Sequence, residues 1–149
     1  MPVTGDKETI RNIRVASRSF SAREVDRISM TSLEPLRDMT ATLAPRAALR
    51  SSVVTRRRAT RGRGWRQYWV SFRRGLGMRI AHLIEFGTQP HSLRKGASVR
   101  KRIFIGEAPM HSGDRPEPFF RPAFEMTKGE VIGRFSRLSW ELISRASRK

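Results

Sequence analysis

Cysteine is absent from the 149-residue chain, which removes disulfides, thiolate nucleophiles and thiolate metal sites together. The lack suits a reducing compartment and leaves no thiol redox chemistry. Acidic residues are scarce: 13 Asp and Glu stand against 31 Lys and Arg, a net charge of +18. A field of that sign attracts phosphates or acidic protein surfaces, and charge alone does not choose between them. No apolar run approaches the length of a membrane span. Residues 1–10 mix both charge signs without an apolar stretch, so neither a signal peptide nor a membrane partner is expected. The expectation is synthesis in a cytoplasm. Phosphate-binding glycine motifs are missing too, because Gly62-Arg63-Gly64 and Gly75-Leu76-Gly77 lack the following glycine and the strand-to-helix context. There is no G-x-S-x-G elbow. His82, His91 and His111 have no HExxH-like spacing, and although His82 and Glu85 share a face of any helix there, they read as surface or hydrogen-bonding residues. No catalytic residue, metal or cofactor is expected, and the chain does not read as an enzyme.

What is present can build a core. Hydrophobic residues make up 38% of the chain and include 8 Phe, 3 Trp and 1 Tyr, enough apolar surface for a folded domain carrying basic loops. Residues 1–22 hold scattered apolar positions (Ile10, Ile13, Val15, Phe20) and read as a short helix or a mobile arm. Residues 23–149 then form one domain, with basic loops at 56–66 and 90–113. Across 22–43, Val25, Ile28, Leu36, Met39 and Leu43 recur at helical spacing. Pro35 cannot sit in a helix interior without losing a hydrogen bond, a cost of about 3 kcal/mol. The spacing therefore predicts a break near residues 30–32, a new helix capped by Thr31 or Ser32, a capping box from Thr31 to Glu34, and Pro35 in the first turn.

After Ala44-Pro45, residues 49–55 read as a short strand, and the run Arg56-Arg57-Arg58-Ala59-Thr60-Arg61-Gly62-Arg63-Gly64 reads as a loop. Flexible arginines beside glycine can track a sugar-phosphate backbone; a solvated hairpin loop explains them equally well. Trp65, Tyr68 and Trp69 follow, and the alternation of Tyr68, Val70 and Phe72 assigns the 67–72 aromatics to a core strand. Residues 73–77 read as a turn and 78–86 as a short helix, with a strand the alternative for so short a run, and Gly87 as the corner that closes it. Within the Pro- and Gly-punctuated stretch 90–113, residues 99–105 read as a strand that carries Arg100, Lys101 and Arg102. From 122 to 145 the chain reads as a helix whose apolar stripe is Val131, Phe135, Leu138 and Leu142, widened by Ile132, Ile143 and Ala146. Trp140 lies off that stripe, which makes it the candidate anchor for a subunit contact.

Two short motifs organise the rest. The first, His82-Leu83-Ile84-Glu85-Phe86-Gly87-Thr88, is an apolar run closed by Gly-Thr; the second is Pro118-Phe119-Phe120-Arg121-Pro122-Ala123-Phe124-Glu125. Pro122 has the φ that suits a helix start, leaving Phe119 and Phe120 to pack where the chain enters that helix. In this order and spacing the motifs resemble a family of tailed-phage morphogenesis proteins, the minor tail, tail-completion or head-to-tail joining components of the neck. Ala44-Pro45 through Leu49-Arg50-Ser51-Ser52-Val53 is similar to that family's segment after its first long helix, with Ala47-Ala48 standing where the family often has Thr-Gly. The resemblance spans residues 33–143.

The resemblance implies an α+β fold, with a long N-terminal helix and a C-terminal helix packed on a small, mainly antiparallel sheet. It implies a virion protein that self-assembles into a ring, six-fold, around the DNA channel, beside head-completion and tail-terminator or tail-tube proteins. In that setting His82, Glu85, Phe86, Gly87, Thr88, Pro118, Phe119, Phe120, Arg121 and Pro122 are assembly residues, and Glu85 and Arg121 are expected to form an ion pair joining the motifs. Candidate DNA contacts are Arg56, Arg57, Arg58, Arg61, Arg63, Arg66, Arg100, Lys101 and Arg102. The alternatives are a basic nucleic-acid-binding protein, in which the basic loops are the function, and the related tail terminator.

Overall fold

The computed structural model describes residues 6–19, 21–58, 66–92 and 110–146. Helix α1 (Asp6–Ser19) lies within the segment read as a helix or an arm and packs against the C-terminal helix. Ser21 opens α2 (Ala22–Ser32): its backbone is extended, and its Oγ accepts the Glu24 N–H at 3.3 Å. The Ser-x-x-Glu start signal thus acts at Ser21. The expected Thr31-to-Glu34 box does not form. Helix α3 (Glu34–Leu43) follows after Leu33 alone, which stays in the right-handed helical region with its N–H on the Met30 carbonyl at 3.2 Å. A cap needs an extended residue, and this step is a single tight turn. The Ser32 hydroxyl instead donates to the Ile28 carbonyl at 2.7 Å. Pro35 sits in the first turn of α3, where its missing N–H costs nothing.

The strand expected over 49–55 is corrected at its start. Residues 47–50 form the single turn α4 (Ala47–Arg50), with Leu49 fully buried, and β1 (Val53–Arg58) begins three residues on and runs into the arginine run. It pairs antiparallel with β2 (Gln67–Phe72) in the register Val53 to Phe72 and Arg58 to Gln67. Alternation places Val53, Thr55, Arg57, Tyr68, Val70 and Phe72 on the face toward the helices, and Val54, Arg56, Arg58, Gln67, Trp69 and Ser71 on the outer face. Trp69 is therefore not a core residue. Residues 59–65 and 93–109, which hold Trp65, Arg61, Arg63, the expected 99–105 strand and Arg100, Lys101 and Arg102, lie outside the described residues.

Helix α5 (Leu76–Phe86) is followed by the short antiparallel pair β3 (His91–Ser92) and β4 (Met110–His111), whose histidine rings stack at 5.1 Å. The chain ends in α6 (Phe120–Ala146), which packs on α3, α2 and α1 while α3 packs on β1. This is the α+β arrangement expected from the sequence. Two core clusters meet at Phe72 and Phe120. One holds Ala44, Leu49, Ala81, Ile84 and Phe119; the other holds Leu36, Val53, Val70 and Ala123. Where α3 crosses α6, small residues bring the backbones close: Thr40 and Ala123 have no exposed surface, and Thr40 and Thr127 donate their hydroxyls to the carbonyls of Leu36 and Ala123 at 2.7 Å. Three expected stripe members are on the surface instead, Leu43 at 36% exposure, Phe135 at 45% and Ile132 at 65%. Thr40 and Ala44 occupy the face of α3 assigned to Leu43, because a hydroxyl satisfied within its own helix is buried at little cost.

The buried Thr55 hydroxyl has no hydrogen-bond partner among the described residues. Valine has the same shape and no desolvation cost, so Thr55→Val should raise stability by about 1 kcal/mol in denaturant titration.

Candidate assembly site

Motif one ends α5 and motif two begins α6. Gly87 closes α5 with φ 72° and ψ −179°, a region open essentially only to glycine. A Cβ there would lie 2.7 Å from the Asp114 carbonyl oxygen and 2.9 Å from the Pro116 nitrogen. The Gly87 corner read from the sequence is thus required twice, by conformation and by close approach. Thr88 next to it forms a β-bridge with Asp114: its N–H donates to the Asp114 carbonyl at 2.9 Å, and its Oγ1 accepts the Asp114 N–H at 2.9 Å. The Glu117 N–H reaches the Ile84 carbonyl at 2.8 Å, which delivers Pro118 and Phe119 alongside α5.

Glu85 then makes the junction. Its Oε2 accepts the N–H groups of Phe119 and Phe120, each at 2.8 Å, and its Oε1 accepts that of Arg121 at 3.0 Å. The expected Glu85–Arg121 ion pair is corrected: the carboxylate binds the Arg121 backbone, and no Glu85–guanidinium bridge occurs among the described residues. The reason lies in the helix, whose first turn offers unsatisfied N–H groups and a positive dipole end. Burial opposes ionisation of Glu85, but the three backbone N–H bonds, with the Arg121 charge behind them, outweigh it and hold the carboxyl below its ordinary range. Pro122, inside the same first turn, has no N–H to satisfy. Phe119, only 2% exposed, meets Phe72 edge to face at 6.0 Å.

Beside this junction lies an open groove of about 480 Å³, walled by Val70 and Phe72 from β2, Ala81, His82 and Phe86 from α5, Phe119 just before α6, and Phe120 and Arg121 from its start. Its lining is mostly apolar, and Met78 and Phe86 stand on it at 51% and 73% exposure. A second uncovered surface lies on α6, where Met126, Ile132 and Trp140 are 64%, 65% and 69% exposed. The displacement of Trp140 from the core stripe is confirmed by that value. Gly129 and Gly133 share this side of the helix, and an added Cβ on either would meet nothing within 4 Å among the described residues.

The arginines assigned to DNA divide into two groups. Asp26 on α2 accepts the Tyr68 hydroxyl at 2.5 Å and Arg66 at 2.8 Å, and also pairs with Arg57. The Tyr68 bond foremost, against partial desolvation and together with both arginines, lowers the Asp26 pKa. Burial, then the adjacent carboxylate, raises that of Tyr68. Arg57 and Arg66 are thereby tied to the fold. Arg56 and Arg58 are on the outer face, with the Arg58 guanidinium 5.6 Å from the Trp69 ring centre. That cluster was missed in the sequence, although the one-residue offset of Trp69 from the Tyr68, Val70, Phe72 alternation was its signal. Among the described residues no three His, Asp or Glu side chains gather to hold a metal ion, and no helix is long and apolar enough to cross a membrane. Comparison with protein-family models, curated proteins and solved structures finds no match.

Glu85→Ala should cost about 2 kcal/mol. Because the folded-state pKa of Glu85 is lowered, its contribution is complete above the unfolded-state pKa and is lost as pH falls through the folded value. Denaturant titrations should therefore show wild type and Glu85→Gln well separated at pH ~7 and converging below pH ~4. Gly87→Ala should cost more than about 2 kcal/mol by the same measurement.

Proposed function

We propose that the protein is a structural, non-catalytic component of the neck of a long-tailed phage particle, a tail-completion or head-to-tail joining subunit that closes with copies of itself into a ring around the DNA channel. The observation that carries this reading is the pair of uncovered apolar surfaces, the groove beside the motif junction and the exposed side chains of α6. A closed ring of identical subunits needs two different, mutually complementary patches. The groove bordered by Met78 and Phe86 and the α6 surface of Met126, Ile132 and Trp140 are two such different surfaces on one subunit. The glycines support the same use, since Gly129 and Gly133 each cost α6 about 1 kcal/mol and no described neighbour makes use of the space. The motifs that resemble the neck family also act as one unit, with Glu85 joining them and Phe86 left on the groove. Head-completion and tail-terminator or tail-tube proteins would sit on the two ends of such a ring. The tail terminator itself differs from this assignment only in position along the neck.

Light scattering at ~50 and ~500 mM salt tests the reading, because an apolar contact resists the screening that dissolves a phosphate contact. The expected result is a ring of one defined mass at both salt concentrations, with Trp140→Ser and Phe86→Ser each raising the dissociation constant about thirtyfold. Gly129→Ala with Gly133→Ala should stabilise the subunit by about 2 kcal/mol and weaken the ring. A monomer that binds duplex DNA only at low salt would favour the nucleic-acid reading instead.

A further inference from the structure

The outer face of the β1–β2 hairpin has a composition that the fold does not require. Arg56 and Trp69 are direct partners in the register, Arg58 and Gln67 are the next pair on that face, and Val54 with Ser71 completes it. None of these positions is acidic. The Arg58 guanidinium covers the indole at 5.6 Å, and Trp69 keeps 41% of its surface exposed. The contrast is with the opposite face, where Asp26 bridges Arg57 and Arg66 and takes the Tyr68 hydroxyl. On that face both arginines are engaged by a carboxylate. The other presents Trp69, partly exposed and with the Arg58 guanidinium over one side of its ring, beside Arg56 and Arg58, which have no carboxylate partner among the described residues.

We propose that this face binds single-stranded nucleic acid, with Trp69 stacking on an unpaired base and Arg56 and Arg58 contacting the flanking phosphates. Every base has a π-face, so an exposed indole on a strand accepts it without regard to sequence, and adjacent guanidinium groups add charge and cation–π attraction. A duplex keeps its base faces stacked inside and can use only the arginines. An acidic peptide satisfies the arginines and leaves the ring without a planar partner. Charge and aromatic geometry together favour the single strand, and the net charge of +18 adds long-range attraction for it. The inference is independent of the neck assignment: it concerns Arg56, Arg58 and Trp69, none of which lines the groove or belongs to the α6 surface proposed above as ring contacts.

The test is fluorescence anisotropy of a labelled thymidine oligonucleotide of ~15 nucleotides, titrated with the full chain from ~50 to ~300 mM salt. Trp69→Ala should weaken binding about tenfold or more, while Trp69→Phe, which keeps a stacking ring, should retain most of the affinity. Arg56→Ala with Arg58→Ala should lower the slope of log affinity against log salt by about 1.4, corresponding to two single-strand phosphates. The control is Arg115→Ala with Arg137→Ala, which removes the same charge from exposed positions elsewhere. Thermal melting of each variant separates lost binding from lost folding. Equal losses in the control and hairpin variants would overturn the proposal. Binding of a duplex or of polyglutamate as tight as that of the oligonucleotide, with no effect of Trp69→Ala, would overturn it as well.

Discussion

The three backbone N–H groups at the start of α6 converge on the Glu85 carboxylate, and the position of the long helix depends on that contact. A helix of 27 residues gathers a substantial partial charge at its N-terminus. Left half-buried and uncapped, that end would carry both unsatisfied donors and an uncompensated dipole. Supplying the anion from α5 does two jobs. It satisfies the donors, and it fixes the angle at which α6 leaves the junction, so that Ala123 and Thr127 arrive at the crossing with α3. The Thr88–Asp114 bridge and the Glu117–Ile84 bond hold the connecting chain against α5, so the carboxylate meets a pre-positioned target.

Asp26 does for the sheet what Glu85 does for the helix. A single carboxylate on α2 gathers Tyr68, Arg57 and Arg66, binding both strands of a hairpin that has no third strand among the described residues. In so basic a chain each acidic side chain has many possible partners, and the ones realised decide which cations remain available. Arg57 and Arg66 are consumed on the inner face. Arg56 and Arg58 lie on the other face with Trp69, because strand alternation turns them away from Asp26.

The core mixes large side chains (Ile28, Leu36, Leu49, Ile84 and Phe119) with small ones (Ala44, Ala81, Ala123, Thr40 and Thr127), whereas Phe86, Ile132 and Trp140 stay on the surface. Their exposure is what the proposed ring contact rests on, because single exposed aromatics are ordinary and two separate apolar surfaces on one subunit are less so.

Much of this was legible in the chain itself. Periodicity placed α2, α3, α5 and α6 but not α4, Pro35 marked the break before α3, which falls at Leu33, just past the expected 30–32, Gly87 marked the corner, and the Pro-Phe-Phe-Arg-Pro run marked the start of the long helix, each through a local backbone or packing constraint. Glu85 was singled out by its motif, but its partner was misread as the Arg121 side chain, since only the folded chain shows a helix end pointing at it. Spacing also could not reveal that Ser32, Thr40 and Thr127 are buried, because their hydroxyls are satisfied by carbonyls of their own helices and the polarity disappears on folding. Local propensity and pattern act within a few residues and are written in the sequence. Which carboxylate reaches which donor, and which face of a hairpin meets solvent, are set by contacts between residues such as Asp26 and Arg66 or Glu85 and Phe119, distant in the chain, and only the tertiary structure decided them.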